Sequence, residues 1–198
     1  MRKTPFRLAL IAAALTVVAC GGGNADTGAG GGPAVPKPVA NPDQAINPPD
    51  PTHPDSDKVT WKKDASFAKC HNDVKTGADL VAGVKAMGAG CAVTMKLHKV
   101  GDTVQGSRQN LDKAQVIPLK AEAGHCYRVY GLSEDALQDL DIAMMDSAGK
   151  ECAEDGSDSP DAVLLEDGAV CFTATDDVSI NVAAGSGTGK YVVQIWGD

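Results

Sequence analysis

The stretch DDVSINVAAGSGTGKYVVQIWGD, residues 176–198, decides the fold class. Apolar and polar residues alternate over Val178–Ala183, and apolar residues recur at every second position over Tyr191–Trp196. A period of two is typical of a β-strand that buries one face. GSGTGK lies between the two runs and supplies the residues of a flexible turn. This end of the chain therefore predicts two neighbouring antiparallel strands.

Five more short runs of this kind occur upstream, separated by turns rich in Gly and Asp. They are Val116–Lys120, His125–Tyr130, Leu140–Met145, Ala162–Leu165 and Ala169–Thr173. Many short strands with frequent turns are typical of an antiparallel sandwich. Residues 101–198 are therefore predicted to form a β-sandwich.

A different pattern precedes the sandwich. Within residues 58–100, apolar residues recur at helical spacing over Leu80–Met87, after a possible N-cap at Asp79 and before a possible stop at Gly88. The following stretch CAVTMKLH, residues 91–98, fits a helix or a strand equally well. This part of the chain is therefore predicted to be a small helical segment in front of the sandwich.

Three stretches of the chain resemble the bacterial pre-peptidase C-terminal domain. They are GHCYRVYGL (124–132), QDLDIAMMDSAGKECAEDGS (138–157) and AVCFTATDDVSINVAAGSGTGKYVVQIW (169–196). Asp139–Asp141, Asp146 and Gly149 match its D-L-D hairpin, and Tyr191–Trp196 matches its last strand. The resemblance covers about half of the chain and implies a jelly-roll-type sandwich, used by non-catalytic companions of secreted enzymes or by surface binding modules.

The start of the chain predicts export. Basic residues precede the apolar run Leu8–Val18, which is shorter than the ~20 residues of a membrane-spanning helix and suits a signal peptide over residues 1–19. Val17–Cys20 resembles a bacterial lipobox, which implies that Cys20 is acylated and anchors the protein to a membrane. Gly21 replaces the Asp that retains lipoproteins at the inner membrane, so the resemblance favours the outer membrane. The whole mature region resembles Gram-negative lipoproteins with a cysteine-containing helical segment before such a sandwich.

Residues 20–57 are predicted to form a disordered tether. Residues 21–57 contain seven Gly and eight Pro in 37 positions and show no apolar periodicity. Beyond this tether the charge is uneven, with a net +6 over residues 58–130 and a net −13 over residues 131–198. An acidic chain argues against nucleic-acid binding. The two halves could attract each other or polarise a binding surface.

The cysteines predict disulfides, because exported proteins oxidise their thiols. If Cys20 is the lipid attachment point, an odd number remains: Cys70, Cys91, Cys126, Cys152 and Cys171. Cys70 and Cys91 flank the predicted helix, and a bridge between them would clip it. Cys126 and Cys171 lie in similar strand contexts and could pair, which leaves Cys152 over. The rival pairing of Cys152 with Cys171 closes a smaller loop and stays open.

One acidic loop is a possible cation site. In ECAEDGSDSPD, residues 151–161, the weak calcium candidates are Asp155, Asp158 and Asp161, although the EF-hand spacing is absent. A solvated acidic loop is the alternative.

GSGTGK lacks the spacing of a phosphate-binding loop, and a strand rather than a helix follows it.

No pattern of catalytic residues is present in the sequence: neither a G-x-S-x-G elbow nor an H-E-x-x-H helix occurs. We therefore expect a non-catalytic lipoprotein of the cell envelope, with a tethered sandwich that acts as a binding or structural module. Its expected partners are the membrane, through the lipid, and an unknown envelope protein or surface ligand. No cofactor is expected, apart from a possible calcium ion. A calcium-dependent surface module and a hydrolase or redox protein with an unrecognised site are the alternatives.

Overall fold

The computed structural model describes residues 53–71 and 79–198. The predicted signal peptide, the acylated Cys20 and most of the tether lie outside the described residues. The elements run β1 (Val59–Lys63), α1 (Phe67–Cys70), α2 (Leu80–Met95), β2 (His98–Gln109), β3 (Gln115–Ala121), β4 (Cys126–Ser133), β5 (Asp139–Met145), β6 (Glu151–Glu154), β7 (Asp161–Val163), β8 (Gly168–Phe172), β9 (Asp176–Ser186) and β10 (Thr188–Gly197).

Two antiparallel sheets form a β-sandwich. The first has the order β1-β8-β4-β10-β2, with β7 also paired to β4, and the second has the order β3-β9-β5-β6. When β1 and β7 are set aside, the other eight strands, counted in chain order, run 6-3-8-1 in the first sheet and 2-7-4-5 in the second. Apart from the neighbouring pair 4-5, consecutive strands thus change sheet, as they do in a jelly roll. The predicted fold class is confirmed.

The alternation of the last two strands builds the core. On β9, Val178, Ile180 and Val182 point between the sheets and are almost completely buried. β10 is buried on both faces, because its other side chains, such as Trp196, pack under α2. The predicted turn is present at Gly187, whose φ of +83° favours glycine and whose added Cβ would lie 2.3 Å from the Ala136 carbonyl oxygen.

The segment before the sandwich contributes more than a helix. Residues 59–63 form β1, which pairs antiparallel with β8, and β2 begins at His98 and pairs with β10. Both strands lie at an edge of the first sheet. Most side chains of β2 are exposed or half-buried, which explains why it lacks the alternation of a core strand. The sheet thus begins well before residue 101.

Helix α2 begins as predicted but does not end at Gly88. The Asp79 side chain caps it by accepting a hydrogen bond from the Ala82 backbone N–H at 3.0 Å. The helix continues to Met95 and ends at Lys96, whose φ of 57° is left-handed. Gly88 is needed for packing: a Cβ there would lie 2.1 Å from the indole of Trp196. The predicted stop is therefore wrong, and residues 91–95 of the ambiguous stretch are helical.

Helices α1 and α2 cover the outer face of the first sheet. The predicted disulfide Cys70–Cys91 is confirmed and joins the two helices. Beneath them lies a second apolar cluster that includes Phe67, Val84 and Met87. Among the described residues, no helix is both long enough and apolar enough to cross a bilayer.

Candidate functional site

The chain enters the sandwich at a fixed point. The Ser56 hydroxyl donates to buried Asp146 at 2.8 Å, and its backbone N–H donates to the Glu151 carbonyl at 2.9 Å. Next to it, the Lys58 ammonium forms an ion pair with Asp176 at 2.9 Å. Asp146 belongs to the turn between β5 and β6, and Asp176 begins β9. The predicted tether therefore joins the sandwich at this end of β9, which we call the entry end.

Carboxylates gather toward the other end of the same strands. Asp139 and Asp141 are two residues apart on β5, so they point to the same face of the sheet. Both lie over Gly185 of β9, where an added Cβ would be 2.0 Å from Asp139 Oδ2 and 2.9 Å from Asp141 Oδ2. Glycine at this position therefore makes room for the two carboxylates.

The loop after β6 supplies the other wall. Glu154, Asp155 and Asp158 face Asp141 across a cleft of about 300 Å³. We call Asp139, Asp141, Glu154, Asp155 and Asp158 the acidic cluster. The cluster lies where β5 and β6 pair and where the chain leaves β6 for β7. Its members come from two strands and one loop, so the fold rather than the local sequence assembles it.

The acidic cluster carries negative charge that no ion pair among the described residues neutralises. Burial, together with the charge of neighbouring carboxylates, raises the pKa of Asp141 and of Glu154 to about 6. Burial raises the pKa of Asp155 to about 7, although the backbone N–H groups of Ser157 and Val163 donate to it and oppose this shift. The ion pairs that the structure shows among the described residues involve other carboxylates. The unpaired negative charge of the cluster therefore favours binding of a cationic ligand.

Two oxygen atoms in the cluster are left without a partner. Asp139 Oδ1 and Glu154 Oε2 are buried and accept no hydrogen bond. Calcium prefers six to eight oxygen ligands, often from carboxylates, so the donor set suits that ion. Among the described residues, however, the only three metal-ligating groups within 4.8 Å of one another are Cys70, His71 and Cys91, and both thiols are in a disulfide. A calcium ion would therefore require the carboxylates to move closer together.

The three calcium candidates from the sequence have different surroundings. Asp158 lines the cleft beside Asp141. Asp155 also lines the cleft, but its carboxylate accepts hydrogen bonds from the Ser157 hydroxyl and backbone N–H. Asp161 does not line the cleft, and it accepts a hydrogen bond from Ser159. Sequence reasoning missed both Asp139 and Asp141 as members, although the D-L-D pattern places them on one face of a strand.

The remaining cysteines separate into a disulfide and a buried thiol. Cys126 and Cys171 face each other on β4 and β8 and are joined, whereas Cys152 is free. Burial raises the pKa of the Cys152 thiol to about 12, and the charge of Asp146 adds to this shift. The thiol is therefore protonated and inaccessible to solvent in the folded sandwich.

A wider hollow lies between α2 and the first sheet. It has a volume of about 620 Å³ and is lined by residues that include Val81, Gly106, Lys190 and Tyr191. The Tyr191 hydroxyl donates to Gln115, and the Lys190 ammonium lies 3.8 Å from Glu134. The charges of Lys190 and Glu134 thus compensate each other, whereas the acidic cluster has no such pair among the described residues.

These contacts leave the acidic cluster as the candidate site of the described residues. No model of a known protein family matches this chain, and no curated protein matches it.

Proposed function

We propose that the protein is a cell-envelope lipoprotein whose sandwich head is a non-catalytic binding module, with the acidic cluster as its binding site for a cationic ligand. One observation carries this proposal: the chain enters the head at one end of β9, and the acidic cluster lies toward the other. From Asp176 to Gly185 the strand advances nine residues, or about 30 Å. The binding site therefore lies toward the opposite end of the sandwich from the point where the predicted tether joins it.

The start of the sequence supports the anchor. A signal-like segment precedes a lipobox-like Val17–Cys20, and a Gly- and Pro-rich stretch follows it. As a flexible coil, a stretch of this length spans about 35 Å. Several acyl chains at about 0.8 kcal/mol per buried CH₂ hold a protein stably on a bilayer. The tether would thus keep the head near the surface while leaving its far end accessible.

The charge of the cluster defines the ligand. A buried carboxylate without a counter-ion gains more from a cationic partner than an exposed one, because less water screens the pair. Lysine or arginine side chains of an envelope protein would supply such cations. Exposed charges are screened over about 8 Å at physiological salt, so the attraction acts at short range. The function implied by the resemblance, a surface binding module, agrees with this chemistry.

The test of the binding site is capture of partners from envelope extracts. The variant Asp139→Asn/Asp141→Asn/Asp158→Asn removes three negative charges with little change of shape. The matched control Asp102→Asn/Asp112→Asn/Asp177→Asn removes as many charges from other parts of the surface. We expect the control to retain the partner and the cluster variant to lose it at least tenfold. Equal capture by both variants would reject the site.

The test of the anchor is separate. In cells fed a labelled fatty acid, we expect the label on the wild-type chain and its absence from Cys20→Ser. The substituted protein should also leave the membrane fraction. Label that persists in Cys20→Ser, or a wild-type protein without label, would reject the anchor and leave the binding site untouched.

A calcium-dependent module is the second candidate function. The unpartnered Asp139 Oδ1 and Glu154 Oε2 favour it. We expect calcium to release or absorb heat on titration and to raise the melting temperature of the wild-type head, and to do neither with Asp139→Asn/Glu154→Gln. Magnesium serves as the control ion, because it demands a tighter octahedral shell. Absence of both effects in the wild-type protein rejects this candidate.

A further inference from the structure

The outward face of α2 has the composition of a buried surface. Over its 16 residues, LVAGVKAMGAGCAVTM, the only charged side chain is Lys85. Val93, on this face, is 83% exposed. A helix that faces solvent ordinarily carries polar and charged residues on that side, and one that is apolar all round is ordinarily buried. This face of α2 therefore has the properties of an interface.

The spacing of these outward residues matches helix–helix packing. Ala82, Ala86, Ala89 and Val93 are exposed and follow one another at intervals of four, three and four. Alternating steps of three and four are typical of the seam along which two helices pack. We call these four residues the outer seam. The inward residues of α2, such as Val84 and Met87, already pack against the sheet, so the outer seam is a second, separate surface.

Helix α1 does not cover the outer seam. It approaches α2 at Gly90, where an added Cβ would lie 2.9 Å from the Cys70 carbonyl oxygen. Ser66, the residue before α1, contacts Thr94 through their hydroxyl groups at 3.4 Å. Gly90 and Thr94 lie to one side of the four seam residues on the helix surface. The seam itself stays exposed.

We propose that the outer seam binds the same seam of a second copy of this chain, with the two α2 helices antiparallel about a two-fold axis. In this register the seam is complementary to itself: Ala82 faces Val93 of the other copy, and Ala86 faces Ala89. Each pair occurs twice by symmetry, so the larger valine always meets the smaller alanine. Small side chains let the helix axes approach to the lower end of the usual range, about 8 Å.

Charge supports the antiparallel direction. In the same register the exposed Asp79 at the start of one helix faces the exposed Lys96 at the end of the other, again twice. Antiparallel helices also place the positive end of each dipole beside the negative end of the other. A parallel pair would instead bring Lys85 against Lys85 and Lys96 against Lys96. The second copy is thus a better partner in this direction than in the other.

The size of the face sets the strength of the pairing. A helix of 16 residues is about 24 Å long, and one such face is smaller than the ~800 Å² that each partner buries in a typical stable complex. The pairing is therefore weak between free heads. On the proposed anchor, two heads share the thin layer above one membrane. This raises their local concentration, as a short linker does for two joined modules, and favours a weak contact.

The register is tested by cross-linking in the mature full-length chain carrying Cys20→Ser, which stays soluble whether or not Cys20 is the anchor. Ala82→Cys and Val93→Cys are prepared separately and treated with a short bis-maleimide, alone and mixed. The antiparallel register predicts at least tenfold more cross-linked dimer in the mixture than in either variant alone. Cross-links that form equally well in the single variants would overturn the register. Cys152 does not interfere, because its thiol is buried.

The association itself is tested by sedimentation equilibrium. Ala89→Glu places a charge in the seam without touching the core, and Ala136→Glu makes the same change at another exposed position. We expect wild type and Ala136→Glu to self-associate with the same Kd and Ala89→Glu to raise that Kd at least tenfold. A wild-type chain that stays monomeric up to about 1 mM would overturn the proposal. So would a seam variant that affects only the capture of a different envelope protein.

Discussion

Arg128 shows how a single residue can be buried without an ion pair to any described carboxylate. Its guanidinium lies 4.3 Å from the ring centre of Phe67 and 5.2 Å from that of Tyr130. Its Nη2 donates to the Glu166 carbonyl at 3.0 Å, whereas Nε and Nη1 have no hydrogen-bond partner. Burial lowers the pKa of this arginine from its ordinary value. The ring faces thus replace the carboxylate that a buried arginine usually requires.

Two substitutions of Arg128 separate packing from charge. We expect Arg128→Ala to lower the free energy of unfolding by about 3 kcal/mol, because it leaves a cavity beneath Phe67. Arg128→Met fills the same volume without a charge to desolvate, so we expect a change of about 1 kcal/mol or less. Urea denaturation measures both. If methionine costs as much as alanine, the hydrogen bond to Glu166 outweighs the packing.

Cys152 allows a second prediction for one side chain. Because its thiol is fully buried and its pKa is raised to about 12, almost no reactive thiolate exists at pH 8. We expect a maleimide to label it only when the protein unfolds, so the labelling rate should rise with urea along the unfolding curve. The chain carrying Cys152→Ala is the control for labelling elsewhere. Rapid labelling in native buffer would contradict this burial.

Among the secondary-structure elements, α2 shows how tertiary packing overrides a local signal. Gly88 suggested the end of the helix, yet the helix crosses Trp196 at this residue. Alanine favours a helix over glycine by about 1 kcal/mol, so propensity alone predicts that Gly88→Ala stabilises the protein. We expect the opposite, a loss of about 1–3 kcal/mol, because the added methyl group collides with the indole.

The control for Gly88→Ala is Gly156→Ala. No atom lies within 4 Å of the position that a Cβ would occupy at Gly156. This substitution should therefore change the free energy of unfolding by about 0.5 kcal/mol or less, as surface substitutions usually do. Thermal or urea denaturation gives both values. A stabilising Gly88→Ala would show that Trp196 can move aside.

A strand could be predicted from the sequence when one of its faces is buried, because burial of one face imposes an alternating pattern. β9 alternates because one of its faces lies in the core, and it was therefore evident from the sequence. β1 and β2 lie at sheet edges, where most of their side chains face solvent and impose no period. The resemblance implies a jelly-roll-type sandwich but no strand order, since strand pairing is not encoded in any single run. Local patterns thus predicted strands with one buried face, including the edge strand β3, whereas β1 and β2 became evident only in the folded chain.

At the scale of the whole molecule, the charge difference between the two halves of the sequence appears in the structure as the acidic cluster. The acidic half of the sequence, residues 131–198, contributes every member of the acidic cluster. Composition predicted that the halves differ and that a surface could be polarised. It could not predict that Asp139 and Asp141 share the space above Gly185, because that contact depends on the pairing of β5 with β9. The amount of charge was thus predictable, and its site was not.

This charge predicts how the stability of the head depends on pH. Burial raises the pKa of Asp141 and Glu154 to about 6, and of Glu151 and Asp155 to about 7. In the unfolded chain such groups titrate near pH 4, so between about pH 4 and 7 the folded head binds more protons. Stability then falls as the pH rises through this window. We expect a higher melting temperature at pH 5 than at pH 8.

One buried histidine changes the stability with pH in the opposite direction, so its effect must be distinguished from that of the carboxylates. Burial and Arg128 lower the pKa of His71, so its contribution to stability is lost as the pH falls below about 6.5. Both effects are present in the wild-type head, and Asp141→Asn/Glu154→Gln removes the contribution of these two carboxylates while it leaves that of His71 in place. We expect this variant to melt higher than wild type at pH 8 and to lose that advantage at pH 5, while the exposed pair Asp112→Asn/Asp177→Asn leaves the profile unchanged. A cluster variant with the wild-type profile would mean that the carboxylates are already compensated in solution, and a bound cation would be the first explanation to examine.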